Sequence, residues 1–201
     1  MPDKYPPAQF KQVYNHYQPA GQVVAGFNYC PSCGAKLALI EKDQVQRPTC
    51  SNCGYIQYRN PAPAVSILIT DKNRVLLGKR AGEPGKGTWA LPSGYIEFDD
   101  DFLTTAIHEA KEETGLDVTP HSITNVISSF VSPRFHYLVI YVAVRVVGGE
   151  LAAGDDLAAV EWFPLSGPLP KLGFVEDLEA IQWYAQEHHK GLPVDYRFRA
   201  K

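Results

Sequence analysis

Short apolar runs separated by turn residues begin at Ala64 and continue through most of the chain. The runs at 64–70 and 74–80 are rich in β-branched residues and flank a polar Asp-Lys-Asn turn, a pattern that predicts a β-hairpin. Later runs predict a short strand, the longest strand of the chain, another strand and a closing helix, at 91–97, 136–147, 158–163 and 174–189 respectively. Strands and helices mixed in this way predict an α/β or α+β core of about 130 residues.

The segment 101–115 is predicted to be an amphipathic helix with two chemically different sides. Asp99, Asp100 or Asp101 is placed to cap its amino end, and Gly115 stands where a left-handed stop is expected. At about 100° per residue, one arc of the helix carries apolar residues, namely Phe102, Leu103, Ala106, Ile107 and Ala110. The neighbouring arc presents three carboxylates, those of Glu109, Glu112 and Glu113.

This acidic arc predicts a cation site. Eight acidic residues lie between Glu97 and Asp117, and Lys111 is the only lysine or arginine among them. Like charges one turn apart destabilise a bare helix, so we expect the glutamates to face a divalent ion rather than water alone. Clustered carboxylate oxygens suit Mg²⁺ or Mn²⁺, which keep several waters and bridge to the phosphates of a substrate.

Four cysteines predict a second metal site. They form two CxxCG motifs, Cys30 with Cys33 and Cys50 with Cys53, with sixteen residues between the pairs. Two intervening residues let both thiolates of a pair reach one tetrahedral ion, and four thiolates leave no position for an activated water. The pattern therefore predicts structural Zn²⁺ in preference to a redox pair or four unrelated buried cysteines.

Composition and charge narrow the class of protein. Of 201 residues, 45% are hydrophobic and 20% are charged, as in a globular protein with a core. The formal net charge is −3, with +2 on residues 1–58 and −5 on 59–201, so binding to nucleic acid is not expected. We find no apolar run of about 18 residues and no apolar secretion signal at the amino end, so we expect a cytoplasmic protein without a membrane partner.

From Gly94 to Leu116 the residues resemble the signature of the Nudix hydrolases. The chain has Gly94, then Asp100, then the run His108-Glu109-Ala110-Lys111-Glu112-Glu113-Thr114-Gly115-Leu116, at the spacing of that signature. Three positions depart from it: Asp100 replaces a glutamate, His108 an arginine and Ala110 a larger aliphatic residue. In the family the arginine helps to hold a neighbouring catalytic glutamate, so a histidine there implies weaker or pH-sensitive activity.

The resemblance implies a fold and a set of roles. The fold would be an α/β/α sandwich with a mixed sheet, preceded by a small zinc ribbon. Glu112 and Glu113 would be direct metal ligands, and Glu109 a ligand or the base that activates water. Glu97 would be a further ligand, or an acid that contacts the ligands and not the ion itself. The backbone carbonyl of Ser93 would complete the coordination sphere. Four acids after the signature remain candidates for an additional base: Glu150, Asp155, Asp156 and Glu161.

Two groups of residues outside the signature are candidates for binding the substrate. Lys79 and Arg80 end a strand before a glycine-rich loop, where they would bind phosphates or be a solvated strand end. Arg134, Phe135 and Tyr137 stand at the start of the predicted long strand, where the rings would stack on a purine or be half-buried sheet residues.

The predicted division of the chain is an N-terminal arm at 1–28, a zinc ribbon at 29–58, a Nudix domain at 62–190 and a C-terminal tail at 191–201. This arrangement is typical of NADH pyrophosphatases and of enzymes that act on FAD or ADP-ribose. Residues 117–137 lack the SQPWPFPxS-like element of the NADH group, which favours ADP-ribose or FAD as substrate.

The leading prediction is thus metal-dependent hydrolysis of a nucleoside diphosphate derivative, with release of AMP. The alternative is a non-catalytic nucleotide sensor or zinc-ribbon adaptor with a degenerate signature. Hydrolysis of RNA ends would require a basic channel, which the net charge of the second part of the chain disfavours. As partners we expect a small-molecule nucleotide and a second copy of the chain in a homodimer.

Overall fold

A computed structural model describes residues 11–15, 26–188, 191–195 and 197–198. The strands are β1 (Val13–Asn15), β2 (Ala38–Lys42), β3 (Val45–Thr49), β4 (Ala62–Asp71), β5 (Arg74–Arg80), β6 (Trp89–Ala90), β7 (Ser93–Tyr95), β8 (Leu116–Phe130), β9 (His136–Gly149), β10 (Leu157–Pro164) and β11 (Leu192–Pro193). The helices are α1 (Phe102–Thr114) and α2 (Val175–Trp183), and a π-helical turn (Tyr184–His188) follows α2. Within these residues, no helix combines the length and apolar character needed to span a bilayer.

A mixed sheet forms the centre of the molecule. Its strands are ordered β1-β8-β9-β4-β5-β10, and β11, β6 and β7 are added to β8, β5 and β4. The β4–β9 and β1–β8 pairs are parallel, whereas β8–β9 and β5–β10 are antiparallel. Because alternate residues of a strand face opposite sides, β4 supplies apolar residues to two separate cores.

One helix covers each face of the sheet. Val65, Ile67 and Ile69 of β4 pack in the core that contains Ala106 and Ala110 of α1. Leu68, on the opposite face, packs in the core that contains Ile181 of α2. The predicted α/β/α sandwich with a mixed sheet is therefore confirmed.

The signature helix forms as its sequence predicts. Asp101 is the capping residue, and its carboxylate accepts hydrogen bonds from the backbone N–H groups of Leu103 and Thr104, both at 3.0 Å. Gly115 ends the helix in the left-handed conformation with a φ of 73°. These two ends fix the length of α1 and therefore which side chains face the sheet.

The prediction that 136–147 is the longest strand is wrong. The longest strand is β8, with 15 residues against 14 in β9. The sequence pattern does not indicate this strand, because Pro120 cannot donate a ladder hydrogen bond. In addition, polar residues face inwards in place of apolar ones, namely Ser122, Thr124 and Ser129. Irregularities in the β8–β9 register, including one between Pro120 and Ser122, accommodate the proline.

Three other elements differ in extent from their predictions. The predicted hairpin is paired only next to its turn, at Thr70–Val75 and Asp71–Arg74, after which β4 and β5 take different partners. The short strand predicted at 91–97 is reduced to β7, since Leu91 and Pro92 lie outside the ladder. The closing helix is α-helical only to Trp183.

Three residues of the N-terminal arm form an edge strand of the sheet, and residues 26–28 of the arm adjoin the ribbon. Strand β1 pairs in parallel with Ser128–Phe130 of β8. Tyr14 is buried against α2, and its hydroxyl donates a hydrogen bond of 2.6 Å to Glu179. The other residues of the arm, 1–10 and 16–25, lie outside the described residues, as do 189–190, 196 and 199–201.

Helix α2 buries two carboxylates against the sheet. Asp177 accepts hydrogen bonds from the Leu91 N–H at 3.0 Å and the Tyr141 hydroxyl at 3.2 Å. Glu176 accepts one of 2.6 Å from the Ser129 hydroxyl. Asp177 thereby ties α2 to the loop that leads into β7.

Asp177 should make stability depend on pH. Burial, together with the nearby Glu176 charge, raises the pKa of Asp177 to about 7, although the Leu91 N–H and the Tyr141 hydroxyl oppose the shift. Its protonated form therefore stabilises the fold below about pH 4, and this contribution is lost as the pH rises towards 7. The unmodified chain should therefore lose stability from pH 5 to pH 8, whereas Asp177→Asn should not, so the free energy of unfolding of the variant minus that of the unmodified chain should rise by about 2 kcal/mol over this range. Urea denaturation of both proteins in EDTA at pH 5 and pH 8 measures this rise. The same value at both pH values would contradict the prediction.

Candidate active site

The signature carboxylates gather where α1 meets β7. The Glu113 carboxylate is buried and accepts a 3.0 Å hydrogen bond from the Ser93 N–H. Gly94 lies directly against Glu109, so that a β-carbon at residue 94 would overlap the Glu109 carboxylate. Glu112 is exposed at the surface beside them. The glycine at the start of the signature thus has a physical role, which is to leave room for Glu109.

The clustered carboxylates hold their protons more tightly than usual. Burial, and then the charges of Glu112 and Asp155, raise the pKa of Glu109 to about 7. Burial also raises the pKa of Glu113 to about 8, against the opposing effects of the Ser93 N–H and the Arg80 charge. A divalent cation would offset this repulsion, and hard oxygen ligands are the type that Mg²⁺ and Mn²⁺ bind.

A loop after β9 brings a further acid to the same place. Gly154 packs against the end of α1, and its N–H donates a 3.0 Å hydrogen bond to the Glu113 carbonyl. The following residue, Asp155, is close enough to raise the pKa values of both Glu109 and Glu113. Of the four late acids that the sequence left open, Asp155 raises the pKa values of both glutamates, and Asp156 raises that of Glu109.

Glu97 is placed less closely than the other acids. It is exposed in the segment between β7 and α1, and no hydrogen bond or ion pair joins its carboxylate to the cluster among the described residues. Ser93 reaches the cluster through its N–H, while its carbonyl oxygen remains a predicted ligand.

The two polar departures from the signature contact each other. His108 Nδ1 lies 3.2 Å from the Asp100 carboxylate, and both side chains are partly exposed. His108 therefore pairs with the residue that replaces the usual glutamate, although its charge also lowers the pKa of Glu109.

We expect His108→Arg to preserve or raise kcat/KM, because a forked donor can contact both Asp100 and a neighbouring glutamate. Steady-state rates of His108→Arg and the control His108→Ala, measured at saturating divalent metal, check this. A tenfold lower kcat/KM in His108→Arg than in the unmodified chain would refute the expectation.

The structure separates the two predicted phosphate-binding residues from each other and groups the three residues predicted to bind the base. The Arg80 guanidinium donates a 2.7 Å hydrogen bond to the Pro84 carbonyl and lies 5.4 Å from the centre of the Phe174 ring, and its charge acts to lower the pKa values of Glu113 and Tyr137. Its neighbour Lys79 leaves the opposite face of β5, because adjacent strand residues alternate.

Arg134, Phe135 and Tyr137 line one cavity of about 460 Å³. The rings of Phe135 and Tyr137 are nearly parallel, with centroids 6.1 Å apart. Tyr95 also lines this cavity, and its hydroxyl donates to that of Tyr137 at 3.3 Å. Sequence reasoning missed Tyr95, even though it stands next to the signature glycine. A larger cavity of about 950 Å³ lies between residues 165–175 and α2.

The four cysteines converge in a separate unit. Their four Sγ atoms all lie within 4.8 Å of one another. In the part of the chain that the structure describes, this is the one group of three or more metal-ligating side chains packed this closely. The Sγ atoms of Cys30 and Cys53 are 3.6 Å apart, and those of Cys33 and Cys50 are 3.5 Å apart. These distances exclude disulfides and are close to the roughly 3.8 Å edge of a tetrahedral ZnS₄ site.

The two knuckles have matching backbones. The N–H groups of Cys30 and Cys50 each donate to the carbonyl five residues later, at 2.8 Å, and the glycine after each pair has a positive φ. Hydrogen bonds from the Ala35 backbone and the Asn52 amide lower the pKa of the Cys33 thiol to about 6, which favours the thiolate that a metal binds. The antiparallel hairpin of β2 and β3 joins the two knuckles.

Comparisons with known proteins agree with this geometry. A model of the NUDIX domain matches residues 60–184, and a zinc-ribbon model described as Nudix N-terminal matches residues 28–59. The ADP-ribose pyrophosphatase of Methanocaldococcus jannaschii is 43% identical over 121 residues, which cover 60% of this chain and 71% of that protein.

Two further relatives extend the comparison. The NAD-capped RNA hydrolase NudC of Stutzerimonas stutzeri is 26% identical over 76% of this chain, but the match spans only 53% of that protein. The crystal structure of a NUDIX hydrolase from Nitrosomonas europaea superimposes with a TM-score of 0.72 and 26% identity, and covers 85% of this chain and 97% of that one. The chain therefore belongs to the Nudix hydrolase family, as a pyrophosphohydrolase with an N-terminal zinc ribbon.

Proposed function

We propose that this enzyme hydrolyses the diphosphate bond of a nucleoside diphosphate derivative, ADP-ribose or FAD in preference to NADH, and releases AMP. The observation that carries the proposal is that β7 contacts the signature carboxylates through Ser93 and Gly94, while the next residue, Tyr95, lines the aromatic cavity. A diphosphate joined to a flat base needs a metal site and an aromatic surface next to each other. The name of the archaeal relative supports ADP-ribose as the first candidate.

The roles proposed for the carboxylates are those that the resemblance to the Nudix signature implies. Glu112 and Glu113 would hold Mg²⁺ or Mn²⁺ together with Glu109, the Ser93 carbonyl and, from the exposed loop, Glu97. Such an ion lowers the pKa of attacking water and neutralises charge on the diphosphate. Glu109 or Asp155 takes the proton of the water as its oxygen attacks one phosphorus. The bond from that phosphorus to the bridging oxygen breaks, and the second phosphate leaves with the bond electrons.

The remaining residues would bind the two ends of the substrate. Arg80 would neutralise a phosphate oxygen, and Lys79 would contribute only at longer range. Phe135 has half of its surface exposed and offers a face on which a base can stack, next to Arg134 and Tyr137. The cavity volume is within the usual range of small-molecule sites.

A substrate panel tests the proposal. ADP-ribose, FAD, NADH, an NAD-capped oligoribonucleotide and ATP are incubated with Mg²⁺ or Mn²⁺, and AMP, pyrophosphate and phosphate are quantified. We expect AMP from ADP-ribose or FAD at a higher kcat/KM than from NADH or the capped RNA. Pyrophosphate from ATP with no AMP from any dinucleotide would reject the substrate class. Tight binding of dinucleotides without any product would favour the alternative of a nucleotide sensor.

We further propose that Cys30, Cys33, Cys50 and Cys53 hold one structural Zn²⁺ per chain in a reducing compartment such as the cytoplasm. We also propose that the chain divides into arm, ribbon, catalytic domain and tail at the predicted boundaries. We propose that it forms a homodimer.

Elemental analysis of protein purified without added metal should give about one zinc per chain. Cys30→Ser should lose most of the zinc yet keep part of the hydrolytic activity, because the thiolates lie outside the carboxylate cluster. Ser32→Ala, which changes an exposed residue of the same knuckle, is the control. A zinc content far below one per chain in the unmodified protein would contradict the assignment.

A further inference from the structure

The cavity with the aromatic rings is lined on one side by Arg59, which lies in the link between the ribbon and the catalytic core, and by Asn60 and Ala62, where the core begins. The segment 132–137 also lines it. The two sides come together at the sheet, where Ala62 of β4 is paired with Tyr137 of β9.

Arg59 connects this link to the loop that carries Phe135. Its guanidinium donates a hydrogen bond to the Pro133 carbonyl. The loop is closed on itself, because the Val131 N–H donates to the Phe135 carbonyl at 3.0 Å and the Phe135 N–H donates to the Ser132 carbonyl at 3.1 Å. A contact at Pro133 therefore constrains the position of Phe135.

The ribbon in turn holds the start of the link. The Gln57 N–H donates to the Pro48 carbonyl at 2.9 Å, and the Arg47 guanidinium lies 5.0 Å from the centre of the Tyr58 ring. Residues on both sides of Arg59 are thus fixed, one by the ribbon and the other by the sheet. This arrangement is suited to holding an otherwise exposed loop in place.

We propose that Arg59 is a positioning residue of the base-binding cavity, through which the N-terminal ribbon sets affinity for the base-bearing half of the substrate. The inference rests on the proposed function for the identity of the ligand, an adenine nucleotide. Arg59 acts through the loop. Because it holds the loop in place before the ligand arrives, binding no longer has to order Phe135, and less conformational entropy is lost on binding. Contacts with the diphosphate at the carboxylates are unaffected.

The test separates binding from turnover. We expect Arg59→Ala to raise KM for the preferred dinucleotide about five- to tenfold and to leave kcat within about twofold. Calorimetric titration with AMP without added Mg²⁺ or Mn²⁺, and without a chelator that would remove zinc, should show a similar rise in Kd. Arg59→Lys, which can still donate to a carbonyl, should recover most of the loss. Lys42→Ala, on the far hairpin of the ribbon, should match the unmodified chain, and zinc content and Tm should be equal in all variants.

A double-mutant cycle tests the route through the loop. If Arg59 acts by placing Phe135, Arg59→Ala should add little to the Kd of Phe135→Ala. Full additivity of the two changes, or an unchanged AMP Kd in Arg59→Ala, would overturn the inference. A lower kcat with an unchanged KM would also overturn it. If no dinucleotide is hydrolysed but AMP binding still depends on Arg59, the inference stands and the proposed reaction fails.

Discussion

Glu113→Gln and Glu112→Gln should each lower kcat/KM at least a hundredfold. Each change removes one negative charge that faces the proposed divalent ion, at nearly constant side-chain volume. The glutamine at 113 can still accept the hydrogen bond from the Ser93 N–H, so the loop into β7 should keep its position. The loss should therefore appear as reduced metal affinity and turnover and not as unfolding.

Initial rates across a range of Mg²⁺ concentrations measure this effect, alongside urea denaturation in EDTA. Glu161→Gln is the matched control, because it removes one exposed acid from β10 in the same domain. Its rate should stay within about twofold of the unmodified chain. Near-normal rates at limiting Mg²⁺ in both signature variants would show that these carboxylates are not the metal site.

Gly94→Ala should lower kcat about a hundredfold while the fold persists. The added β-carbon would overlap the Glu109 carboxylate, and the flexible glutamate side chain is what can move. A displacement of about 1 Å in a catalytic group is enough for a loss of this size. The backbone at residue 94 does not have a positive φ, so alanine brings no strain of its own.

Gly82→Ala is the control for this change, because a β-carbon at residue 82 meets nothing within 4 Å. The mechanism can be isolated by combining Gly94→Ala with Glu109→Gln. If alanine acts by displacing Glu109, the double variant should be no slower than Glu109→Gln alone. A further large drop would mean that residue 94 contributes in another way.

Local features of the sequence were sufficient to predict the signature helix. Its capping aspartate, its terminal glycine and the arc of carboxylates all depend on residues within a few turns of one another. The cysteine knuckles are local in the same sense, since each CxxCG motif forms its own turn. These are the parts of the molecule where neighbouring residues decide the conformation.

Contacts between distant residues explain what the sequence did not predict. Asp155 reaches the carboxylates only because the loop at Gly154 packs on α1, and the sequence left it among four equal candidates. Asp177 is buried because Tyr141 and the Leu91 N–H, far away in the chain, satisfy its carboxylate. Strand β8 was not predicted because small polar residues face inwards along it. They are tolerated there because they can hydrogen-bond to a buried acid, as Ser129 does to Glu176.

The most direct test of the central claim is hydrolysis of ADP-ribose in ¹⁸O-labelled water with Mg²⁺ or Mn²⁺, followed by mass spectrometry of the products. The account predicts equal amounts of AMP and ribose 5-phosphate, with one ¹⁸O in one of the two monophosphates, and almost no product from Glu113→Gln. Absence of AMP from ADP-ribose and from FAD under these conditions, in protein that is folded and carries its zinc, would contradict the account.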